Sequence, residues 1–280
     1  MKIKTILTLI FYFNCCFFCS LYSQEIPHVL VSVAPHKFFV EKIAGQTVKV
    51  DLMVPAGASA HTYEPTPKQM YSASHAALWF RIGEPFEERA VQALISHNRH
   101  LKVIDLRKGI DLIGAGCCHA HSMDLHFWLS ARMAQIQAQT IADTLIATYP
   151  EQAGLYRTNV EKFIKELQEL DLNIQGILAH MSSRNILVSH PAYAYFCRDY
   201  NIRQFSIEVE GKDPTPQQLT QILKIARDLK IKTIFIQPQY SGKGARLIAE
   251  DIKAKVVALD PYSEHYITSM LEIAHAFGEG

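Results

Sequence analysis

The chain has 280 residues, of which 49% are hydrophobic and 20% charged, and its formal net charge is +1. Such a composition is globular, with room for one large core or two smaller ones. The near-neutral balance gives no hint of nucleic acid or of an anionic membrane surface as a partner.

The N-terminus differs from the rest. Lys2 and Lys4 precede an apolar run over residues 6–18, broken only by Thr8 and Asn14, and Ser20 and Ser23 follow it. A basic start, a short apolar stretch and a small-residue zone are the layout of a secretory signal peptide, expected over residues 1–24. The run is short for an uncleaved anchor, which needs about 20 apolar residues. Cys19 raises a lipoprotein alternative, but the bulky Phe17 and Phe18 before it favour cleavage near Ser23. The mature chain is expected to be soluble outside the inner membrane. It would keep Cys117, Cys118 and Cys197, an odd count that leaves a thiol free or held by metal.

Short apolar, β-branched runs at 28–33, 48–54, 77–82 and 103–105 read as strands, and runs at 185–189, 204–207, 233–236 and 256–259 repeat the pattern. Near-continuous apolar character suits buried parallel strands. Thr66-Pro67 and Thr215-Pro216 each place an N-cap before a proline at the first helical position. The alternation implies an α/β fold with parallel sheets flanked by helices. Between the two sets, residues 151–181 carry no proline. Tyr156, Val160, Phe163, Ile164, Leu167, Leu170, Ile174 and Leu178 recur there on one helical face. Such a helix would run about 45 Å, as an internal spine between two strand-bearing lobes or as a coiled-coil partner. The expected organisation is an N-terminal lobe over 25–149, a linking helix over 150–182 and a C-terminal lobe over 183–280.

Four residues with metal-binding chemistry sit at the ends of these elements: His61, His126, His190 and Asp260. Three imidazoles and a carboxylate could fill a tetrahedral shell, and only a fold could gather groups so far apart in sequence. His61 lies in Val54-Pro-Ala-Gly-Ala-Ser-Ala-His-Thr-Tyr-Glu-Pro-Thr-Pro67, a stiff turn-rich loop leaving a strand. His126 lies in Asp124-Leu-His-Phe-Trp128, where Asp124 could fix the imidazole tautomer. His190 and Asp260 each follow a strand, where open α/β sheets place their ligands. Each has an ordinary alternative: a solvated loop histidine, a helix cap at Asp124, a plain Asp-Pro turn at Asp260.

With these motifs in order, the chain resembles the metal-specific solute-binding proteins of ABC importers, the ZnuA/TroA-like group. The likeness rests on Pro-Ala-Gly-x-x-x-His-Thr-Tyr-Glu-Pro-Thr-Pro, Asp-x-His-Phe-Trp, His-x-Ala-Tyr-x-Tyr-Phe and Leu-Asp-Pro, and spans residues 28–280. It implies two lobes joined by a long backbone helix, a metal site in the cleft, and His61, His126, His190 and Asp260 as ligands. It also implies a membrane permease as partner, a monomeric binding protein and no enzymatic activity. Ser59-Ala60 departs from the acidic residue usual before the first histidine of the group.

Three imidazoles with one carboxylate favour Zn²⁺ over a hard ion, and Mn²⁺ and Fe²⁺ also accept such sites. Gly114-Ala-Gly-Cys-Cys-His-Ala-His121 looks like a short form of the His-rich loop of zinc-specific relatives; an ordinary loop with adjacent cysteines is its alternative. A secreted zinc hydrolase, with Asp260 as general base and Glu64 nearby, and a surface adhesin are the rival classes. Ser241-Gly-Lys-Gly244 lacks the full phosphate-loop spacing and reads as a helix start.

Overall fold

A computed structural model describes residues 26–114, 123–208 and 212–280. The signal-peptide segment and the Cys117, Cys118, His119 and His121 loop lie outside the described residues.

The first half forms a parallel sheet of β1 (His28–Val31), β2 (Lys49–Leu52), β3 (Leu78–Arg81) and β4 (Lys102–Asp105) in the order β2-β1-β3-β4. The second half repeats this with β5 (Asn185–Val188), β6 (Arg203–Ser206), β7 (Thr233–Ile236) and β8 (Lys255–Ala258) in the order β6-β5-β7-β8. All neighbours pair in parallel. The middle strands are mostly buried and carry unbroken apolar runs such as Ile186-Leu187-Val188. The outer strands open on Lys49, Lys102, Arg203 and Lys255 and are partly exposed, since a charged residue suits an edge. That is why these four differ from the continuous apolar pattern expected of buried strands.

Helices cover the sheets: α1 (Ala34–Ala44), α2 (Pro67–Ala73), α3 (Pro85–His97) and α4 (Ala131–Thr148) in the first half, and α6 (Ala194–Asp199), α7 (Pro216–Asp228), α8 (Lys243–Ile252) and α9 (Tyr266–Glu279) in the second. Thr66 and Thr215 each cap a helix as expected, and each is completed by a glutamine three residues on that bonds back to the cap. The spine is α5 (Ala153–Leu178), preceded by a 3₁₀ turn over Pro150–Gln152. At 1.5 Å per residue it is about 39 Å long. Its buried face is Tyr156, Val160, Phe163, Leu167, Leu170, Ile174 and Leu178; Ile164 is only partly buried. It packs against α4, α9 and α1, so it is an internal spine rather than a coiled-coil partner. One hydrophobic core runs from Phe39 and Trp79 through the spine to Phe196 and Phe277. A smaller core around Ile207, Ile234 and Ile248 lies on the far face of the second sheet. The shared core joins the two lobes across the spine.

His36 of α1 is fully buried among Phe39, Phe127 and Trp128. Its Nε2 is 2.6 Å from Gln137 Oε1, while its Nδ1 has no partner. Burial outweighs the Gln137 bond and takes its pKa down to about 4. The unfolded chain therefore binds this proton first, so stability is full above about pH 6.5 and is lost as pH falls toward 4. The loss attributable to His36 is roughly 2 kcal/mol by pH 5. Urea midpoints measured at pH 7 and pH 5 should diverge less in a His36→Gln variant, which keeps an amide donor for Gln137 but gains no proton.

Candidate metal centre

Each candidate group hangs from the carboxyl end of a strand or from the segment before α4. His61 follows β2, on the 3₁₀ turn Ala60–Thr62. Its loop is tied down by Gln69, which accepts a hydrogen bond from the Tyr63 hydroxyl at 2.5 Å and donates to the Met53 carbonyl at 3.0 Å. His190 follows β5, and its backbone N–H donates to Gln237 Oε1 at 2.9 Å. His126 precedes the 3₁₀ turn Phe127–Leu129, and Asp260 follows β8.

The structure brings His61, His126 and His190 together, with one ring nitrogen from each inside a group whose members all lie within 4.8 Å of one another. The ring centroids are 5.1 to 5.4 Å apart. Asp260 stands outside that group. Its Oδ1 accepts from Gln239 Nε2 at 2.6 Å and from the Tyr262 N–H at 2.8 Å.

Every histidine of the trio has its Nδ1 against a carboxylate. His126 Nδ1 is 2.9 Å from Asp124 Oδ1, and His190 Nδ1 is 2.7 Å from Glu208 Oε2. His61 Nδ1 is 3.0 and 3.1 Å from the two oxygens of Glu84. An ionised carboxylate only accepts, so with the carboxylate in that form each pair places the proton on Nδ1 and leaves the Nε2 lone pair for another partner. This carboxylate–histidine arrangement orients and strengthens imidazole ligands in metal sites. His190 Nε2 is buried and has no hydrogen-bond partner, and an unpaired buried acceptor is costly unless something binds it.

The surroundings set the charge. Burial opposes charging of His61, but Glu84, Asp124 and Glu208 outweigh it and lift its pKa above the ordinary range. Burial, with the neighbouring His126 and His61, drives the pKa of His190 far down, so it stays neutral. Burial, together with Asp213, takes Glu208 up to about 7, against the pull of His61. His61 is also the most accessible of the trio: its side chain is 32% exposed, whereas His126 and His190 are buried.

Aromatic rings close over the group. Tyr240 stacks face to face on His190 with centroids 3.7 Å apart. The Tyr262 hydroxyl lies 3.0 Å from His126 Nε2 and 3.2 Å from the Tyr240 hydroxyl. Glu84 is presented by a loop held from inside by Glu87, whose carboxylate accepts from Ser32 Oγ at 2.5 Å, Ile82 N at 2.9 Å and Gly83 N at 2.6 Å. Gly83 has φ +99, a conformation that strains any residue with a side chain, and a Cβ there would also press on the Arg107 guanidinium, so the position favours glycine.

Chain order puts His126 in the first lobe, yet its segment is bonded to the second. Tyr195 Oη accepts from Ile113 N at 3.0 Å and donates to the Asp124 carbonyl at 2.7 Å. Trp128 Nε1 donates to the Pro261 carbonyl at 2.8 Å, and Tyr266 Oη donates to the Trp128 carbonyl at 2.6 Å. Ser130, the N-cap of α4, also bonds Asp199. Of the trio, His61 alone has both its carboxylate partner and its loop anchors in the first lobe, while its ring faces His190 and Tyr240 of the second.

Sequence reasoning found Asp124 but missed Glu84, Glu208, Tyr240 and Tyr262. Glu84 and Glu208 each directly follow a strand region, the position that singled out His190 and Asp260, so the same rule would have found them. Glu64 is exposed and pairs with Arg89. Among the described residues Cys197 is a buried, unpaired thiol, and α8 begins at Lys243 as the helix-start reading expects.

Comparison with known proteins shows the family. The family model for ZnuA, zinc-uptake complex component A, periplasmic, matches residues 29–280. A putative metal-binding protein of Chlamydia muridarum is 36% identical over 264 residues, covering 92% of this chain and 94% of its own. The high-affinity zinc uptake system protein ZnuA of Bacillus subtilis is 27% identical, over 83% of this chain and 77% of its own. A crystal structure of a ZnuA superposes with a TM-score of 0.87 at 34% identity, covering 91% of this chain and 99% of the other. Among the described residues no helix is long and apolar enough to cross a membrane. The chain belongs to the ZnuA family of extracytoplasmic metal-binding solute-binding proteins, transport components rather than enzymes.

Proposed function

We propose that this protein captures Zn²⁺ with the Nε2 atoms of His61, His126 and His190 and hands it to the membrane permease of an ABC importer. The observation that carries the reading is the gathering of one ring nitrogen from each histidine within 4.8 Å, and the pairing of each Nδ1 with Asp124, Glu84 or Glu208 supports Nε2 as the binding atom. Three imidazoles suit a borderline ion better than a hard one, and the Bacillus subtilis relative is named for zinc uptake. Asp260 supplies the fourth ligand. Both hydrogen bonds to its carboxylate fall on Oδ1, which makes Oδ2 the oxygen that would bind the ion. With four protein ligands such a site holds an ion rather than activating water. Export through the signal peptide, with cleavage near Ser23, leaves the mature protein free in the periplasm.

The test is the metal content of protein purified without added metal, followed by competition among Zn²⁺, Mn²⁺ and Fe²⁺. Zinc should be retained and should displace the other two. A calorimetric titration of His126→Ala that matches the wild type would sink the ligand assignment.

A further inference from the structure

We propose that Tyr262 competes with the metal ion for His126, setting a ceiling on affinity and easing release. The inference rests on the reading that His126 is a ligand. With its Nδ1 proton given to Asp124, His126 has one lone pair left, on Nε2. The Tyr262 hydroxyl lies 3.0 Å from that nitrogen and donates to it. A lone pair that accepts a phenol proton cannot at the same time bond a metal, so the ion and Tyr262 are alternative partners of one atom. His190 offers the contrast: its Nε2 is equally buried and has no such partner.

The tyrosine is held for this role. Its ring is buried, its N–H donates to Asp260 Oδ1 at 2.8 Å, and its hydroxyl lies 3.2 Å from that of Tyr240. Tyr240 in turn stacks on His190. A phenol displaced from His126 therefore has a second hydroxyl within reach and need not be left unpaired, which lowers the cost of opening. When an ion leaves, the same phenol stands ready to take back Nε2. Tyr262 is a positioning residue by this account, not a ligand, and it acts against tight binding.

The experiment compares wild-type protein with Tyr262→Phe in a zinc titration against a chromogenic chelator, reading both Kd and the rate of zinc loss. Removing one competing hydrogen bond should tighten zinc binding by about fivefold and slow its loss to the chelator. Affinity unchanged or weakened in Tyr262→Phe overturns the proposal, and weakening would make Tyr262 a ligand or a needed support. The wild type gives a second readout that needs no variant: zinc should shift tyrosine near-ultraviolet absorbance as the phenol loses its imidazole acceptor, and an unmoved spectrum overturns the proposal. His126→Ala separates this from the underlying reading. If that variant binds zinc as the wild type does, the ligand assignment fails. If it binds weakly while Tyr262→Phe gains nothing, only the competition fails.

Discussion

Replacing His190 with alanine should weaken zinc binding by about two to three orders of magnitude. Structural zinc sites bind with roughly 10–16 kcal/mol shared among their ligands, so one ligand accounts for about 3–4 kcal/mol. His190 should sit at the upper end of that range because nothing else engages its Nε2 and because its surroundings keep it neutral. Its Nδ1 is fixed by Glu208, its ring lies flat against Tyr240, and its N–H is held by Gln237. The ring is thus preset for binding, and little entropy remains to be lost when an ion arrives. Alanine also leaves Glu208 without its partner in a buried setting, which should push that carboxyl further toward its neutral form. Equilibrium competition with a chelator of known affinity reads the loss directly. Glu208→Gln should fall between the wild type and His190→Ala, weakening binding by about 10–100-fold as such supporting partners do. A His190→Ala protein within threefold of the wild type would remove His190 from the ligand set.

Which parts of this centre could be read from the chain follows from how each part is specified. The spine was legible because seven residues at three- and four-residue steps write a helical face into the sequence. The positions of His190 and Asp260 were legible because a buried strand ends where its apolar run ends. The stiff mount of His61 showed in its prolines, and the Tyr63 and Gln69 bonds then complete it. The carboxylate pairings were not legible, because they depend on strand order. His61 follows β2 and Glu84 follows β3, and the loops after these strands come within reach of each other because the sheet order sets only β1 between them. Nothing local to either residue encodes that order. The attachment of His126 was hidden for a related reason. Tyr195 and Tyr266 reach the segment across separations of 71 and 138 residues, and a tyrosine in an apolar helix face looks the same whether its hydroxyl is used or not. Asp260 shows the reverse limit. The Asp-Pro step was visible, but the Gln239 and Tyr262 bonds that occupy its Oδ1 were not.

Trp128→Ala should lower stability by about 3–5 kcal/mol, and in a domain of this size that is a fall of roughly 10 °C in Tm. The indole is fully buried. It touches His126 on one side, Tyr262 on another and His36 on a third, and its N–H closes the 2.8 Å bond to the Pro261 carbonyl. Alanine would leave a cavity among these rings and an unpaired carbonyl, two separate costs. The effect should reach the metal site, because the Trp128 indole pins the turn after His126 to the second lobe. A loosened His126 binds zinc less well, so zinc should raise the Tm of Trp128→Ala by less than it raises that of the wild type at the same free concentration. Calorimetric scans with and without zinc separate the two effects: the zinc-free difference reads packing, and the difference between the zinc-induced shifts reads the His126 mount. Trp128→Phe should recover much of the first and, lacking the N–H, less of the second. If the zinc-induced shift were the same in all three proteins, the second lobe would not be what holds His126, and the division of the trio into one first-lobe and two second-lobe histidines would be wrong.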